Sequence, residues 1–327
     1  MAGTAGSIGT VGQLTNVLNT SGKAIAGIDF YDASDAKDAK DQAAGRQNAG
    51  HASSVPTLCI IGCGKVGKTL ARLWHARQAF RLLDILNRSS DSAQQACAFI
   101  GGGTPINTYA ELRHADVYLI AAGDDQITAC CAALATSGKL SERSVVFHCS
   151  GALSSDALLA AAEQGAAVAS IHPIRSFADP QKVAEDFAGT YCGSEGDTTA
   201  LTRLIPAFDD IGGCCVAIKR ENKILYHAAA VFASNYLVTL IDVARQAYVE
   251  AGLEPDVALQ LIEPLLTESA SNAFRLGPAV ALTGPIARGD MDTVKRQHKA
   301  VHDWNPEVAA LYRQFEIQTI KLAQQKQ

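Results

Sequence analysis

Leu58–Trp74 reads "LCIIGCGKVGKTLARLW". Four branched or apolar residues run into a G-x-G-x-x-G spacing, Gly62, Gly64 and Gly67, and an amphipathic helical pattern follows. Each glycine has its own physical reason. Gly62 permits a tight turn, Gly64 lets backbone N–H groups approach a pyrophosphate, and Gly67 lets the helix pack closely on the strand. The helix N-terminus adds partial positive charge for phosphate. With strand, loop and helix in this order, the stretch predicts a dinucleotide-binding turn, with Lys65 and Val66 between the glycines. The alternative is a glycine-rich turn that binds nothing.

Working outward, "RLLDIL", "DVYLIAA", "SVVFHC" and "AAVASI" repeat the pattern of short apolar runs bounded by Gly, Asp, Ser or Asn. Such runs suit strands buried on both faces, and segments 65–78 and 125–137 suit crossover helices. The alternation predicts an α/β fold, a doubly wound and mainly parallel Rossmann sheet over residues 55–219. Runs near 188–193 and 213–218 are expected to extend that sheet. After Lys219 the strand signals stop, and residues 220–327 read as a smaller all-helical domain. Residues 1–54, rich in Ala, Gly, Ser and Asp, read as a disordered extension with one weak helix around 11–19.

The bulk composition narrows the classes. A charged share of 19% and a formal charge of −5 without long runs leave no electrostatic footprint for nucleic acid. Nine cysteines, an odd number without a C-x-x-C pair, argue for reduced thiols in a cytosolic protein. A reactive thiol at Cys63 or Cys149 is the alternative. No basic and apolar leader pattern is visible, so the location is expected to be cytoplasmic.

The second strand ends in "DILNRSS", where an NAD-selecting site would place an acid against the ribose 2′-OH. Asn87, Arg88 and Ser89 stand there instead and suit a 2′-phosphate, which predicts NADP(H). Further strand exits offer Ala122 and Gly123, followed by Asp124 and Asp125 as expected helix caps. They also offer Ser150, as substrate hydroxyl or cap, and His172, as proton donor or packed histidine.

"KILYHAAAVFASNYLVTLI", Lys223–Ile241, is apolar nearly all round and is expected to be a buried helix. It is Ala-rich and slightly short, with His227 and Asn235 inside, so a membrane span is not expected. At 100° per residue, Lys223, Ser234 and Asn235 lie at about −40°, −20° and +80° from His227. That polar sector faces either a core or dimer network, or the nicotinamide in a cleft between the domains, where Lys223, His227 and Asn235 have the chemistry to protonate or polarise a substrate. His298 and His302, four apart, lack an obvious third metal ligand.

"GCGKVG", "NRSS", "FHCSGALSSDAL", "SIHPIRSFADP", "YHAAAVFASNYLVTL" and "LTGPIARGDMDTVKRQH" together resemble bacterial Rossmann-like proteins with a C-terminal domain of unknown function 2520. The resemblance runs from Val55 to the helix after Asp290. It implies kinship with the 6-phosphogluconate dehydrogenase, ketopantoate reductase and pyrroline-5-carboxylate reductase superfamily, hence an NADP(H)-linked oxidoreductase acting on a small carbonyl or imine, with a dimerising helical domain. A non-catalytic NADP(H)-binding sensor or assembly protein is the competing class. Relatives carry a lysine and an asparagine on the first interdomain helix, but the Lys223–Asn235 spacing is too wide for the dehydrogenases' lysine-x3-asparagine pattern. "LTGPIARGD" resembles the substrate-side turn of imine-reducing relatives and makes Thr283 and Arg288 substrate-binding candidates.

Overall fold

A computed structural model describes residues 55–326, so the expected extension 1–54 and its helix lie outside the described residues. The run after Pro56 forms β1 (Thr57–Ile61), and Gly64 then caps α1 (Lys65–Arg77). The chain continues through β2 (Arg81–Leu86), α2 (Ser90–Ile100), β3 (Thr104–Ile106), β4 (Val117–Ile120), α3 (Asp124–Thr136) and β5 (Val145–His148). A short 3₁₀ turn (Ser155–Leu158) and α4 (Leu159–Ala162) lead to β6 (Ala167–Pro173). Then follow α5 (Pro180–Glu185), β7 (Tyr191–Gly196), α6 (Thr198–Asp210) and β8 (Cys214–Ala217).

The eight strands lie in the order β3-β2-β1-β4-β5-β6-β7-β8, parallel except where β7 runs antiparallel to β6. The order reverses between β1 and β4, and in such sheets ligands bind beyond the carboxyl ends at that point. The apolar runs are continuous because both faces are covered. Leu58 and Ile60 enter one core, and Cys59 and Ile61 enter the other. The first core is centred on Trp74, edge-on to Phe80, Phe147 and Phe208 at centroid distances of 5.3, 6.2 and 5.3 Å. Its indole N–H donates to the Ala207 carbonyl at 2.8 Å, so the buried ring leaves no polar atom unsatisfied.

The chain divides into two compact units at Lys223/Ile224, four residues beyond the expected boundary at 219. The second unit holds α7 (Lys223–Ala233, whose first residue belongs to the sheet unit), α8 (Asn235–Glu250), α9 (Pro255–Leu276), α10 (Pro278–Ala281), α11 (Gly284–Ala287), α12 (Met291–Trp304) and α13 (Pro306–Gln324).

Two expectations about Lys223–Ile241 are corrected. The stretch is two helices, because Ser234 leaves helical geometry (φ −126°, ψ −73°) and its N–H reaches only the Val231 carbonyl, at 3.4 Å. Ser and Asn tolerate such departures because their short polar side chains compete with the helix for backbone bonds. The projection that put Asn235 beside His227 assumed one straight helix and fails at this break. Nor is the stretch buried: Ile224, Leu225, Phe232 and Val238 are 67%, 71%, 68% and 66% exposed. Among the described residues, Arg220–Glu250 alone is long and apolar enough to cross a membrane by length and composition.

Candidate functional site

The ends of β1, β2 and β4 and the start of α2 enclose an open cavity of about 840 Å³ at the reversal point. Gly62, Gly64, Asn87, Arg88, Ser89, Ala122 and Gly123 all line it. Gly62 adopts φ +74°, and a Cβ there would come within 2.7 Å of the Ala122 backbone. A Cβ on Gly67 would lie 2.8 Å from Ala121 Cβ, so this glycine sets the distance between α1 and β4. Gly64 differs: a Cβ there would meet nothing nearer than 3.9 Å. The protein fold does not require a glycine at 64, whereas a ligand pressed against the loop would.

Several candidates are bonded elsewhere. Asn87 Oδ1 accepts from the Cys63 N–H at 2.6 Å and Asn87 Nδ2 donates to Ser92 Oγ at 2.9 Å, so this side chain ties the glycine loop to α2. Ser89 Oγ caps α2 by accepting from the Ser92 N–H at 3.3 Å. Lys65 Nζ donates to the Ala178 carbonyl at 2.9 Å, and Val66 packs on the core. Neither lines the cavity. Arg88 is exposed on the rim and has no hydrogen bond or ion pair among the described residues. The one acid of β2, Asp84, is buried and held by Arg113 through Nε at 2.9 Å and the backbone N–H at 2.7 Å. Asp124 and Asp125 are not caps: Gly123 is the cap residue, and the acids sit in the first turn of α3, where they complement the helix dipole.

A second constellation lies on one face at the carboxyl edge, where β5, β6 and β7 bring His148, Ser170 and Glu195 into direct register. All three are buried, and Lys223, 2% exposed, reaches into the row. Lys223 Nζ donates to Ser170 Oγ at 2.7 Å and lies 3.8 Å from Glu195 Oε1. Burial holds this ammonium below the usual lysine range, while Glu195 opposes the shift. His148 Nδ1 accepts from the Ser150 N–H at 3.1 Å, which can only donate. Its Nε2 therefore carries the hydrogen, facing the Ser154 carbonyl at 3.0 Å. Burial pushes this imidazole down to about 4, so it is neutral.

The other candidates fall out as follows. Ser150 Oγ accepts from the Ala152 and Leu153 N–H groups at 3.1 and 2.9 Å and so closes a turn, while the cap of the following 3₁₀ turn is Ser154. His172 lies within β6, paired with Gly193, rather than beyond the strand. Burial pushes the Cys63 and Cys149 thiols up to about 12, so neither is a thiolate nucleophile at neutral pH. In the helical unit His227 is half-buried on α7, and Asn235 is exposed at the start of α8. Thr283 and Arg288 flank α11, both exposed, and line neither of that unit's apolar pockets. His298 and His302 lie on α12, and among the described residues no three potential metal ligands approach one another.

The Rossmann-like domain family matches residues 43–173, and the DUF2520 family, a domain of unknown function, matches residues 190–319. This chain joins a Rossmann-like domain to a DUF2520 domain. The DUF2520 domain begins inside the sheet unit and takes in β7, β8, Glu195 and Lys223 as well as helices. Among solved structures, protein TM1727 from Thermotoga maritima is 27% identical with a TM-score of 0.67, matched over 83% of this chain and 99% of that one. A proposed NADP oxidoreductase, BF3122, from Bacteroides fragilis is 20% identical with a TM-score of 0.65, over 81% and 98%. The pyrroline carboxylate reductase of Plasmodium falciparum, solved with NADP bound, is 14% identical with a TM-score of 0.51, over 82% and 98%. The last two are likenesses of fold. Comparison with curated proteins finds no match.

Proposed function

We propose that this chain is a cytoplasmic NADP(H)-dependent oxidoreductase that moves hydride between the nicotinamide and a small carbonyl or imine. The observation that carries the reading is the cradle. Gly64 leaves room for a ligand that the fold does not need, and Arg88, without a hydrogen bond or ion pair among the described residues, stands on the rim between Asn87 and Ser89 rather than beside an acid at the end of β2. Gly62, Gly64 and the N-terminus of α1 would hold the pyrophosphate, and Arg88 the 2′-phosphate. The Plasmodium reductase with NADP bound supports a nicotinamide dinucleotide as the cofactor, and the choice of the phosphorylated form rests on Arg88. When bound, the cofactor would supply the hydride; proton donation is assigned to His227 and substrate binding to Asn235, Thr283 and Arg288, each from its own side-chain chemistry. Lys223 is given no direct chemical role, because its ammonium is buried against Ser170 Oγ and Glu195 within the sheet unit. That pairing is also what favours the rival reading, an NADP(H)-binding protein without catalysis.

Arg88→Ala is expected to weaken NADPH binding about 30-fold, the loss of a charge-assisted contact of about 2 kcal/mol, and NADH by less than about threefold. Equal losses, read by fluorescence titration, remove the 2′-phosphate assignment. An NADPH-consumption screen over 2-keto acids and cyclic imines, with His227→Ala as control, separates the enzyme from the binding protein.

The helical unit is further proposed to pair with a second copy. Phe232 and Tyr236 stack edge-to-face at 5.2 Å while 68% and 51% exposed, amid the exposed Ile224, Leu225 and Val238. An apolar patch of this kind calls for a covering surface. The break at Ser234 and the commitment of Lys223 to the sheet argue against a membrane as that surface. Sedimentation should give a dimer that Phe232→Asp weakens about 30-fold, the effect of removing an aromatic anchor worth about 2 kcal/mol. A monomeric wild-type protein, or one that sediments with lipid vesicles, overturns this.

A further inference from the structure

The segment that leaves the sheet has an unusual way of being held. From Ala217 to Leu225 the sole buried residue is a lysine, Lys223. Arg220, Glu221 and Asn222 are exposed, and no apolar side chain of residues 219–223 packs into the core. Beyond the β8 ladder, which ends at Ala217, the backbone of this stretch is tied to the sheet by the Ile218 N–H donating to the Ser194 carbonyl at 3.0 Å. What fastens the rest is charge. Glu195 Oε2 lies 3.4 Å from Arg220 Nε, and Glu195 Oε1 lies 3.8 Å from Lys223 Nζ.

The carboxylate itself is firmly placed. It sits on β7 directly opposite Ser170 of β6, with its side chain 3% exposed. The Ser155 N–H donates to Oε1 at 2.8 Å and the Ser155 hydroxyl to Oε2 at 2.7 Å. The neighbouring Asp156 accepts from Arg220 Nη1 at 2.8 Å, so the 3₁₀ turn grips the same segment from a second side. Lys223 completes the figure by donating to Ser170 Oγ. A buried carboxylate met by two serine donors and two cations is better supplied than packing alone requires, and both cations come from one exposed segment of five residues, 219–223.

We propose that Glu195 is a positioning residue: its buried carboxylate gathers Arg220 and Lys223 and so pins residues 218–223, the start of α7 included, onto β6, β7 and the Ser155–Leu158 turn. The pin acts through electrostatic pairing rather than apolar contact. Without Glu195 the Lys223 ammonium would keep Ser170 Oγ as its hydrogen-bond partner and Asp124 only as a more distant countercharge, an arrangement that drives either the side chain or the whole segment outward. The helical unit begins at the next residue, so the last fixed point of the sheet unit is this ion pair. The pinning does not depend on what the glycine cradle binds.

Amide hydrogen exchange of residues 219–224 in the full chain tests it. Glu195→Gln keeps the shape and an acceptor for Ser155 but removes the charge, and exchange there should quicken by about tenfold, a cost of roughly one pKa unit of interaction. Asp84→Asn, which loosens the distant Arg113 clasp, serves as the control for general destabilisation and should leave these amides unchanged at a matched loss of melting temperature. The double variant Glu195→Gln with Lys223→Met removes both charges while filling the lysine's channel; exchange should be slower than in Glu195→Gln, because no unpaired ammonium is left in the sheet, but still faster than in wild type, because Arg220 has lost its carboxylate. If Glu195→Gln does not fold, Ser155→Ala, which deletes one donor to the carboxylate, should show a smaller rise confined to the same amides. Exchange no faster than in the Asp84 control, or a double variant as loose as Glu195→Gln, or a Ser155 variant without a local rise, overturns the proposal.

Discussion

Gly64→Ala is expected to leave the melting temperature of the protein unchanged and to weaken NADPH binding by about 100-fold, near 2.7 kcal/mol. The two halves of this result come from one distance. An alanine Cβ at 64 would meet protein atoms no closer than 3.9 Å, which is ordinary contact, and the residue's φ of −78° suits any side chain. Stability should therefore move by less than about 0.5 kcal/mol. The methyl group instead occupies space on the loop where backbone donors face a pyrophosphate, so its cost falls on the ligand. Gly62→Ala is the necessary contrast. Its φ of +74° and the 2.7 Å approach to the Ala122 backbone tax the fold first, by about 1–3 kcal/mol for the dihedral alone. Each kcal/mol lowers the melting temperature by about 2–4 °C in a unit of this size. Thermal melts beside fluorescence titrations separate the cases. A Gly64→Ala protein that binds NADPH like wild type would remove the phosphate from this loop and, with it, the cofactor reading.

The same pair of glycines shows what was legible in the chain. Spacing announces local geometry, and Gly62, Gly64 and Gly67 all stand at the first turn of the sheet, as the strand and helix patterns require. Pattern failed where partners are distant in sequence or a single residue departs from regularity. β3 escaped notice because it has three residues with Pro105 in the middle, too short to show alternation. The break at Ser234 escaped because a helical projection assumes continuity, and one residue's dihedrals undo it. Glu195 lies in "YCGSEGD", a glycine-rich run without strong strand character. Its partners stand 40 residues before it and 25 and 28 residues after it, at Ser155, Arg220 and Lys223. The strand expected near 188–193 stopped short of it, whereas the observed strand runs to Gly196. His148 was hidden likewise within "SVVFHC", where its neighbours gave every reason to read a strand and none to ask where its ring nitrogens were satisfied. In both cases burial is set by strand register, which no local window contains.

His148 should make the sheet unit sensitive to acid over a defined range. Its imidazole is fully buried and its folded pKa is about 4, against 6.5 for an ordinary histidine. Below pH 6.5 the unfolded chain therefore takes up a proton that the folded chain refuses until about pH 4. The unfolded state binds more protons in that window, so stability rises with pH there and is lost as pH falls. The gap corresponds to about 3 kcal/mol, accrued at no more than about 1.4 kcal/mol per pH unit. Urea unfolding at pH 7, 6 and 5 reads this slope directly. His148→Asn keeps an acceptor towards the Ser150 N–H but loses the bond to Ser154, so it begins about 1 kcal/mol less stable. Its pH dependence should nonetheless be shallower by close to one proton between pH 6 and 5. Parallel curves for the two proteins would show that His148 is not held neutral. The cause of the depression can be divided as well. Desolvation dominates, the Ser154 carbonyl opposes it, and the Lys223 ammonium adds to it. Lys223→Met removes that cation while preserving bulk, so the folded pKa of His148 should rise and the acid loss should end at a higher pH than in wild type. The shift ties the histidine on β5 to the lysine that Glu195 holds, because a lysine swung out to solvent would have no charge to lend the imidazole.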